Sequence, residues 1–351
     1  MTTPPSEDET WMQLALDEAQ YGVGLTSPNP PVGAVLVKDG ILIGRGWHQQ
    51  AGLPHAEIEA LQDAQAQGQD VQGATVYVTL EPCSTEGSTG ACTSALIAAG
   101  IVRVVYGARD PNPHHAGNAD ALLQEAGIEV TSGVLEEECN RIIRPFTKWI
   151  TTGLPYIIAK VGQSLDGRLT RPLGESPWIT SEESRLHSMY LRVRCDAIMI
   201  GAETLRQDDP NLTLRGPNIP SQKQQPWRVI VSRSGNLPAN ANLFTDEHQD
   251  RTLVVRGTKK FNAILQELAE KGITSVLIEG GGNLMGQAFA ARVVDEICWY
   301  IAPRICGGGV NSVGNRNFSQ NVPSVALKDT KYVRIGDNLC VTGYPDWTLE
   351  P

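Results

Sequence analysis

The sequence predicts two α/β domains, residues 1–150 and 151–351, and three observations carry that prediction. The chain has 351 residues, and about 100–200 residues make one domain. In each half, short runs rich in β-branched residues alternate with helix-like segments, the pattern of α/β architecture. Around 144–155 (RPFTKWITTGLP) that alternation pauses and then restarts.

The first half reads as follows. Ser6 and Glu9 have the spacing of a capping box for a helix through 11–20, which stops at Gly22. Strands over 32–37 and 41–44 flank Lys38-Asp39-Gly40, a hairpin signal. A helix begins near His55 and runs to Gly68, and 74–80 (ATVYVTL) is a strand. A short helix over 93–99 ends at Gly100, a strand follows over 101–106, and helix 119–126, Gly127 and strand 128–130 repeat the unit. The expected domain is three-layered with a largely parallel sheet. In the second half, strands are expected at 156–161, 197–200, 227–231, 252–255, 275–278 and 296–301, and helices at 182–191, 262–271 and 284–291. The stretch 215–225 and the region after Gly307 read as loops.

Composition narrows the function class. Lys+Arg 29 against Asp+Glu 39 gives a net charge of −10, with no basic run to attract a phosphate backbone, so nucleic acid is not an expected partner. The opening MTTPPSEDET has neither the basic nor the apolar region of a signal peptide, and no apolar stretch has membrane-spanning length. Seven cysteines, an odd number over a long chain, argue against a disulfide framework and for a cytoplasmic protein whose paired cysteines bind metal.

The metal candidate is specific. His55-Ala56-Glu57, then Pro82-Cys83, then Cys92 supply one imidazole and two thiolates as ligands to zinc, with a carboxylate alongside. That order matches the zinc deaminase pattern, in which the Glu is general acid/base and not a ligand. Three protein ligands leave one position for water, and zinc lowers that water's pKa. The spacing between the cysteines is C-x8-C, longer than the common C-x2-C, and the intervening 84–91 (STEGSTGA) is small and polar. A purely structural zinc would want a fourth thiol or imidazole close in sequence, and Glu57 would then have no role.

At these residues the chain resembles the cytidine deaminase-like superfamily. The surrounding segments narrow the resemblance: 27–33 (SPNPPVG), 52–57 (GLPHAE), 78–84 (VTLEPCS) and 110–113 (DPNP) with Ala116-Gly117, then 164–168 (SLDGR), 178–181 (WITS), Gly201-x-x-Thr204, 208–213 (DDPNLT), 279–284 (EGGGNL) and 300–303 (YIAP). Together they are similar to the bifunctional deaminase–reductase family of riboflavin biosynthesis, over roughly residues 10–345. The resemblance implies a cytidine deaminase-like α/β/α domain followed by a dihydrofolate reductase-like α/β domain. It also implies Zn2+ and NADPH as cofactors, a phosphoribosylaminopyrimidine as substrate, and a possible homodimer.

The resemblance further implies residue roles. Asn29 and His48 would contact the deaminase substrate. NADPH would meet Gly162, Trp178, Thr204, Asp208 and the run Gly281, Gly282, Asn283, Leu284, Met285, Gly286 and Gln287. The reductase substrate would meet Lys160, Ser176, Arg192, Leu212, Arg215 and Glu279. Two arginines offer bidentate forks for phosphate, and the glycine turn before a helix lets a phosphate approach its N-terminus. Lys160 is open as a proton donor or a substrate contact. Thr85 and Ser88 stand where the family usually has a His and a basic residue, and Ser232-Arg233 where it has Asp-Ser, so substrate contacts at the first pair and NADPH contacts at the second are expected to differ. Two alternatives are left open: a zinc deaminase of another base fused to a reductase-like domain, and a non-catalytic zinc-stabilised nucleotide-binding module.

Overall fold

The computed structural model describes residues 4–84, 90–112, 117–172, 174–176, 178–217, 219–314, 322 and 324–348. The chain divides into two compact units, Met1–Gly153 and Leu154–Pro351.

Unit 1 holds five strands, β1 (Gly33–Lys38), β2 (Ile41–Trp47), β3 (Thr75–Leu80), β4 (Arg103–Ala108) and β5 (Glu129–Ser132), in the order β2-β1-β3-β4-β5. Only β3, β4 and β5 run parallel; β1 is antiparallel to both its neighbours. The sheet is therefore mixed, not largely parallel as the alternation suggested. A tight hairpin between β1 and β2 forces the reversal, because only a crossover connection keeps neighbouring strands parallel. Helices α1 (Glu7–Gln20) and α5 (Glu136–Thr152) pack together on one face, and α2 (Ala56–Ala66), α3 (Cys92–Ala98) and α4 (Asn118–Glu125) on the other.

Local chemistry explains these elements. The Ser6 hydroxyl accepts from Glu9 N–H while the Glu9 carboxylate accepts from Ser6 N–H, a complete capping box for α1. Gly46 allows α2 to lie on β2: a Cβ there would fall 2.4 Å from Ala60 N. Gly33 does the same for α1 on β1, where a Cβ would fall 2.1 Å from Ala15 O. Helix α5 occupies the stretch read as a pause, with Pro145 inside it and Gly153 closing it in the left-handed conformation.

Unit 2 is built on an eight-stranded sheet of order β12-β13-β11-β6-β10-β7-β8-β9. Its strands are β6 (Tyr156–Ser164), β7 (Ala197–Gly201), β8 (Trp227–Ser232), β9 (Thr252–Arg256), β10 (Ser275–Ile278), β11 (Glu296–Ala302), β12 (Ala326–Ile335) and β13 (Asn338–Asp346). From β11 across to β9 every pairing is parallel. The β12–β13 hairpin adds an antiparallel edge in a region read as loop. Its outer strand is mostly exposed and polar, so it lacks the apolar alternation that marks a strand in sequence. The helices are α6 (Glu182–Arg194), α7 (Ala202–Asp208), α8 (Asn242–Thr245), α9 (Phe261–Ala269) and α10 (Gly282–Ala290). The core on one face of the sheet runs from Ile157, Ala159 and Val161 to Met285 and Phe289.

Candidate active sites

In unit 1 the local backbone delivers three metal-ligating atoms to one point. His55 is the N-cap of α2, in extended conformation at φ −76° and ψ 165°, so Glu57 falls in the helix's first turn. Cys83 lies in the loop after β3, and Cys92 opens α3. His55 Nδ1 is 3.2 Å from Cys92 Sγ and 3.5 Å from Cys83 Sγ, and the three donor atoms all lie within 4.8 Å of one another. Ligands around one tetrahedral zinc sit about 3.5–3.8 Å apart, so this donor set fits zinc. The Cys92 amide N–H donates to Cys83 Sγ at 3.3 Å. Hydrogen bonding from the Cys92 thiol outweighs burial and, with His55 adding, holds Cys83 well below the ordinary thiol range, while the same bond pushes the Cys92 thiol up, so that ligation by both sulfurs requires the Cys92 proton to leave as metal binds.

Glu57 stands outside this trio and is only 3% exposed. Burial, with the Cys83 thiolate adding, pushes its carboxyl up to about 7. A carboxyl so placed exchanges protons near neutrality, as a general acid/base must.

Asn29 and His48 come together beside the trio. His48 Nδ1 is 2.9 Å from the Pro54 carbonyl, which can only accept, so Nδ1 carries the proton. Nε2 then accepts from Asn29 Nδ2 at 3.1 Å, and the Asn29 carbonyl oxygen is left as the other end of that amide. The ring of His48 is buried and stands edge-on to His55, centroids 5.3 Å apart. Burial lowers the His48 pKa and keeps the ring neutral. Thr85, Ser88, Pro113 and Ala116, which carried parts of the sequence reading, lie outside the described residues.

In unit 2 the structure brings Lys160, Arg192 and Glu279 together. Lys160 is on β6, Arg192 on α6, and Glu279 follows β10, the strand paired with β6. Arg192 makes two hydrogen bonds to Glu279, at 2.7 and 3.0 Å, and donates to Thr213 O at 2.9 Å, while Lys160 Nζ lies 3.5 Å from Glu279 Oε2. Burial alone would raise the Glu279 carboxyl; Arg192 and then Lys160 outweigh it and hold it at about 2.

The cofactor candidates lie at the carboxyl ends of the parallel strands. Gly281 caps α10 and its N–H donates to Thr204 Oγ at 3.2 Å. The turn from β10 into α10 offers main-chain N–H groups at a helix start, a donor set that fits a pyrophosphate. Leu284, Met285 and Gly286 are buried on the inner side of α10, so only Gly281, Asn283 and Gln287 of that run reach solvent among its ends. Gly282 serves packing: a Cβ there would meet Asn311 O at 2.0 Å. Gly162 lies on β6, where a Cβ would come 3.1 Å from Thr180. Trp178, 60% exposed, is stacked under Arg185 at 4.7 Å, and its main-chain N–H donates to Ser176 Oγ. Asp208 and Arg215 are exposed, and Leu212 is buried with a left-handed φ of 51°. One group was not singled out in the sequence: Glu81, buried two residues before Cys83, whose only signal is a charge ending an apolar strand.

Comparison with known proteins fits both units. Residues 5–108 match the cytidine and deoxycytidylate deaminase zinc-binding region, and residues 155–341 match the RibD C-terminal domain. The riboflavin biosynthesis protein RibD of Escherichia coli is 37% identical over 366 aligned residues, covering 95% of this chain and 98% of that protein. RibD of Aquifex aeolicus is 38% identical, covering 95% and 97%. The structure of Acinetobacter baumannii RibD superposes with a TM-score of 0.85 at 35% identity, covering 97% of this chain and 99% of that one. A Thermotoga maritima structure described as a diaminohydroxyphosphoribosylaminopyrimidine deaminase/5-amino-6-(5-phosphoribosylamino)uracil reductase gives 0.84 at 33% identity, with the same coverage. With both units matched and the likeness running almost end to end, the chain belongs to the RibD family of riboflavin biosynthesis proteins.

Proposed function

We infer that this chain is a bifunctional enzyme of riboflavin biosynthesis, with a zinc-dependent deaminase in residues 1–150 and an NADPH-dependent reductase in residues 151–351. The observation that carries the reading is the His55–Cys83–Cys92 trio beside a buried Glu57, in a chain alike to RibD proteins over almost its whole length. The first substrate is 2,5-diamino-6-(5-phosphoribosylamino)pyrimidin-4(3H)-one, which loses its 2-amino group as ammonia. The second is the resulting 5-amino-6-(5-phosphoribosylamino)uracil, whose ribosyl group is reduced to ribityl.

In the first step His55, Cys83 and Cys92 hold the metal. When bound, zinc supplies a water acidified to near neutrality. Glu57 would relay both protons of that water in turn, one to the ring nitrogen and the other to the amine, which departs as ammonia. Asn29 presents its carbonyl oxygen to the pyrimidine's N–H edge, and His48 fixes which end of the amide points there.

In the second step NADPH supplies the hydride, and the protein binds and orients. The hydride goes to the ribose C1′, the bond from C1′ to the ring oxygen breaks, and that oxygen takes a proton. Lys160 holds a proton beside Glu279, whose ionised state keeps the ammonium in place. Arg192 is spent on Glu279 and Thr213, so Arg215, exposed on its loop, is the fork for the substrate phosphate. The start of α10 beyond Gly281, whose own N–H is held by the Thr204 hydroxyl, receives the cofactor's pyrophosphate. All seven cysteines are free, which suits the reducing cytoplasm where we place the enzyme, and a homodimer is the assembly its resemblance implies. No helix among the described residues is long and apolar enough to cross a membrane.

The test supplies the diaminopyrimidine ribotide with NADPH and follows product masses. The expected course is replacement of an amine by a carbonyl, then gain of two hydrogens. No conversion at either step overturns the assignment.

A further inference from the structure

The loops after β3 and β4 begin side by side, because these strands are parallel neighbours with Leu80 opposite Ala108. The first of these loops carries Cys83. Glu81 starts it, and its N–H extends the ladder by donating to Ala108 O at 2.8 Å. The Glu81 side chain is 3% exposed and, among the described residues, makes no ion pair. Its carboxylate is satisfied instead by main-chain donors of the second loop. Oε2 accepts from Asp110 N–H at 3.2 Å, and Oε1 accepts from Gly117 N–H at 2.8 Å and Ala119 N–H at 3.3 Å.

These partners lie at both ends of the second loop: Asp110 just past β4, Gly117 and Ala119 at the start of α4. A single buried carboxylate therefore holds Asp110 and the start of α4 together. It does so two residues from a metal ligand. An acceptor-only group is required, since every partner is a donor. A carboxylate at the first turn of a helix is also favoured by the helix dipole. Its negative charge there repels a substrate phosphate, so the start of α4 is closed to that group.

We propose that Glu81 is a positioning residue of the deaminase site, tying Asp110, Gly117 and Ala119 to the strand end that leads into Cys83, so that these backbone positions are held in register with the metal ligands beside the substrate. The role is distinct from holding metal, which falls to His55, Cys83 and Cys92, and from proton transfer, which falls to Glu57. It rests on the deaminase reading above.

The nearly isosteric E81Q isolates the role. Its amide oxygen still serves Gly117 and Ala119, but its NH2 faces the Asp110 N–H, donor against donor. One unsatisfied buried donor costs enough to loosen the loop, so the KM for ammonia release should rise about tenfold. The kcat should stay within about twofold, since the reacting groups are untouched. Zinc content and reduction of the deaminated substrate should match wild type. An unchanged KM overturns the proposal, and so does loss of zinc with a falling kcat, which would make Glu81 a support of the metal loop alone. Hydrogen exchange on the wild-type holoenzyme decides the matter if E81Q does not fold. The amides of Gly117 and Ala119 should be protected; exchange at the rate of free loop amides overturns the clamp. A wild-type enzyme that releases no ammonia overturns the deaminase reading, while the exchange measurement still tests the clamp.

Discussion

The two sites handle a buried glutamate in opposite ways. At Glu57 burial outweighs the pull of His55 and drives the carboxyl up to about 7. Glu279 is as deeply buried, yet Arg192 and Lys160 hold it at about 2. The first glutamate is therefore kept ready to gain and lose a proton, and the second is kept from ever gaining one. Burial sets the cost in both places, and the neighbouring charge decides the chemistry. Glu57 is suited to proton transfer, Glu279 to holding an ammonium and a guanidinium in register.

The largest effect that could break this comparison comes from Glu57→Gln. Ammonia release should fall by about a thousandfold or more, the contribution of a positioned general acid/base, while NADPH oxidation on the deaminated substrate continues. Removing zinc with a chelator should give the same split. A parallel fall in both activities would show that the two sites are not independent.

Glu279→Gln addresses the other side. It leaves buried Arg192 and half-buried Lys160 without their carboxylate, and the lost stability should be about 3 kcal/mol or more at neutral pH. The sign of the pH dependence follows from the depressed value. The stabilisation is fully present above the ordinary carboxyl value of 4.5 and is lost as pH falls towards about 2. Denaturant unfolding of wild type and variant between pH 7 and 2 should show the difference shrinking only below about 4.5. A difference that shrank on raising the pH would assign Glu279 the behaviour of Glu57.

The smallest effect sharpens the comparison by staying within one unit. Ser6→Ala removes the hydroxyl of the α1 capping box and should cost about 1 kcal/mol, seen as a lower unfolding midpoint for unit 1. Neither activity should change. A drop in reductase activity would mean that strain in α1 is felt by unit 2.

How much was legible in the sequence differs between the sites for a physical reason. His55 and Glu57 lie on one helix start, and Cys83 and Cys92 lie towards the two ends of the single connection from β3 to α3, so order and spacing alone exposed the trio. Lys160, Arg192 and Glu279 come from a strand, a helix and a turn far apart in the chain, and only the resemblance pointed to them. Even then the resemblance did not show that Arg192 is consumed by Glu279. In the fold, α5 was missed because Pro145 and the flanking charges read as a break. The β12–β13 hairpin was missed because an exposed edge strand carries no apolar stripe. The reversal between β1 and β2 was legible in the Lys38-Asp39-Gly40 hairpin signal, whereas the antiparallel pairing of β1 with β3 was not, because it depends on which strand comes to lie beside β1. Glu81 went unnoticed because its partners are main-chain amides, which leave no trace in side-chain patterns.

The glycine at position 46 has a consequence for how accurately the deaminase can hold its parts. With no side chain between β2 and α2, main chain rests on main chain at Ala60. The separation is then set by atoms that have no rotamers to sample. The error in placing Glu57 and His55 relative to the sheet is that of two rigid backbones, not of a layer of mobile side chains. A carboxylate that passes protons from a water to a ring nitrogen and then to a leaving amine needs that tolerance to be small, and here it is inherited from the sheet itself.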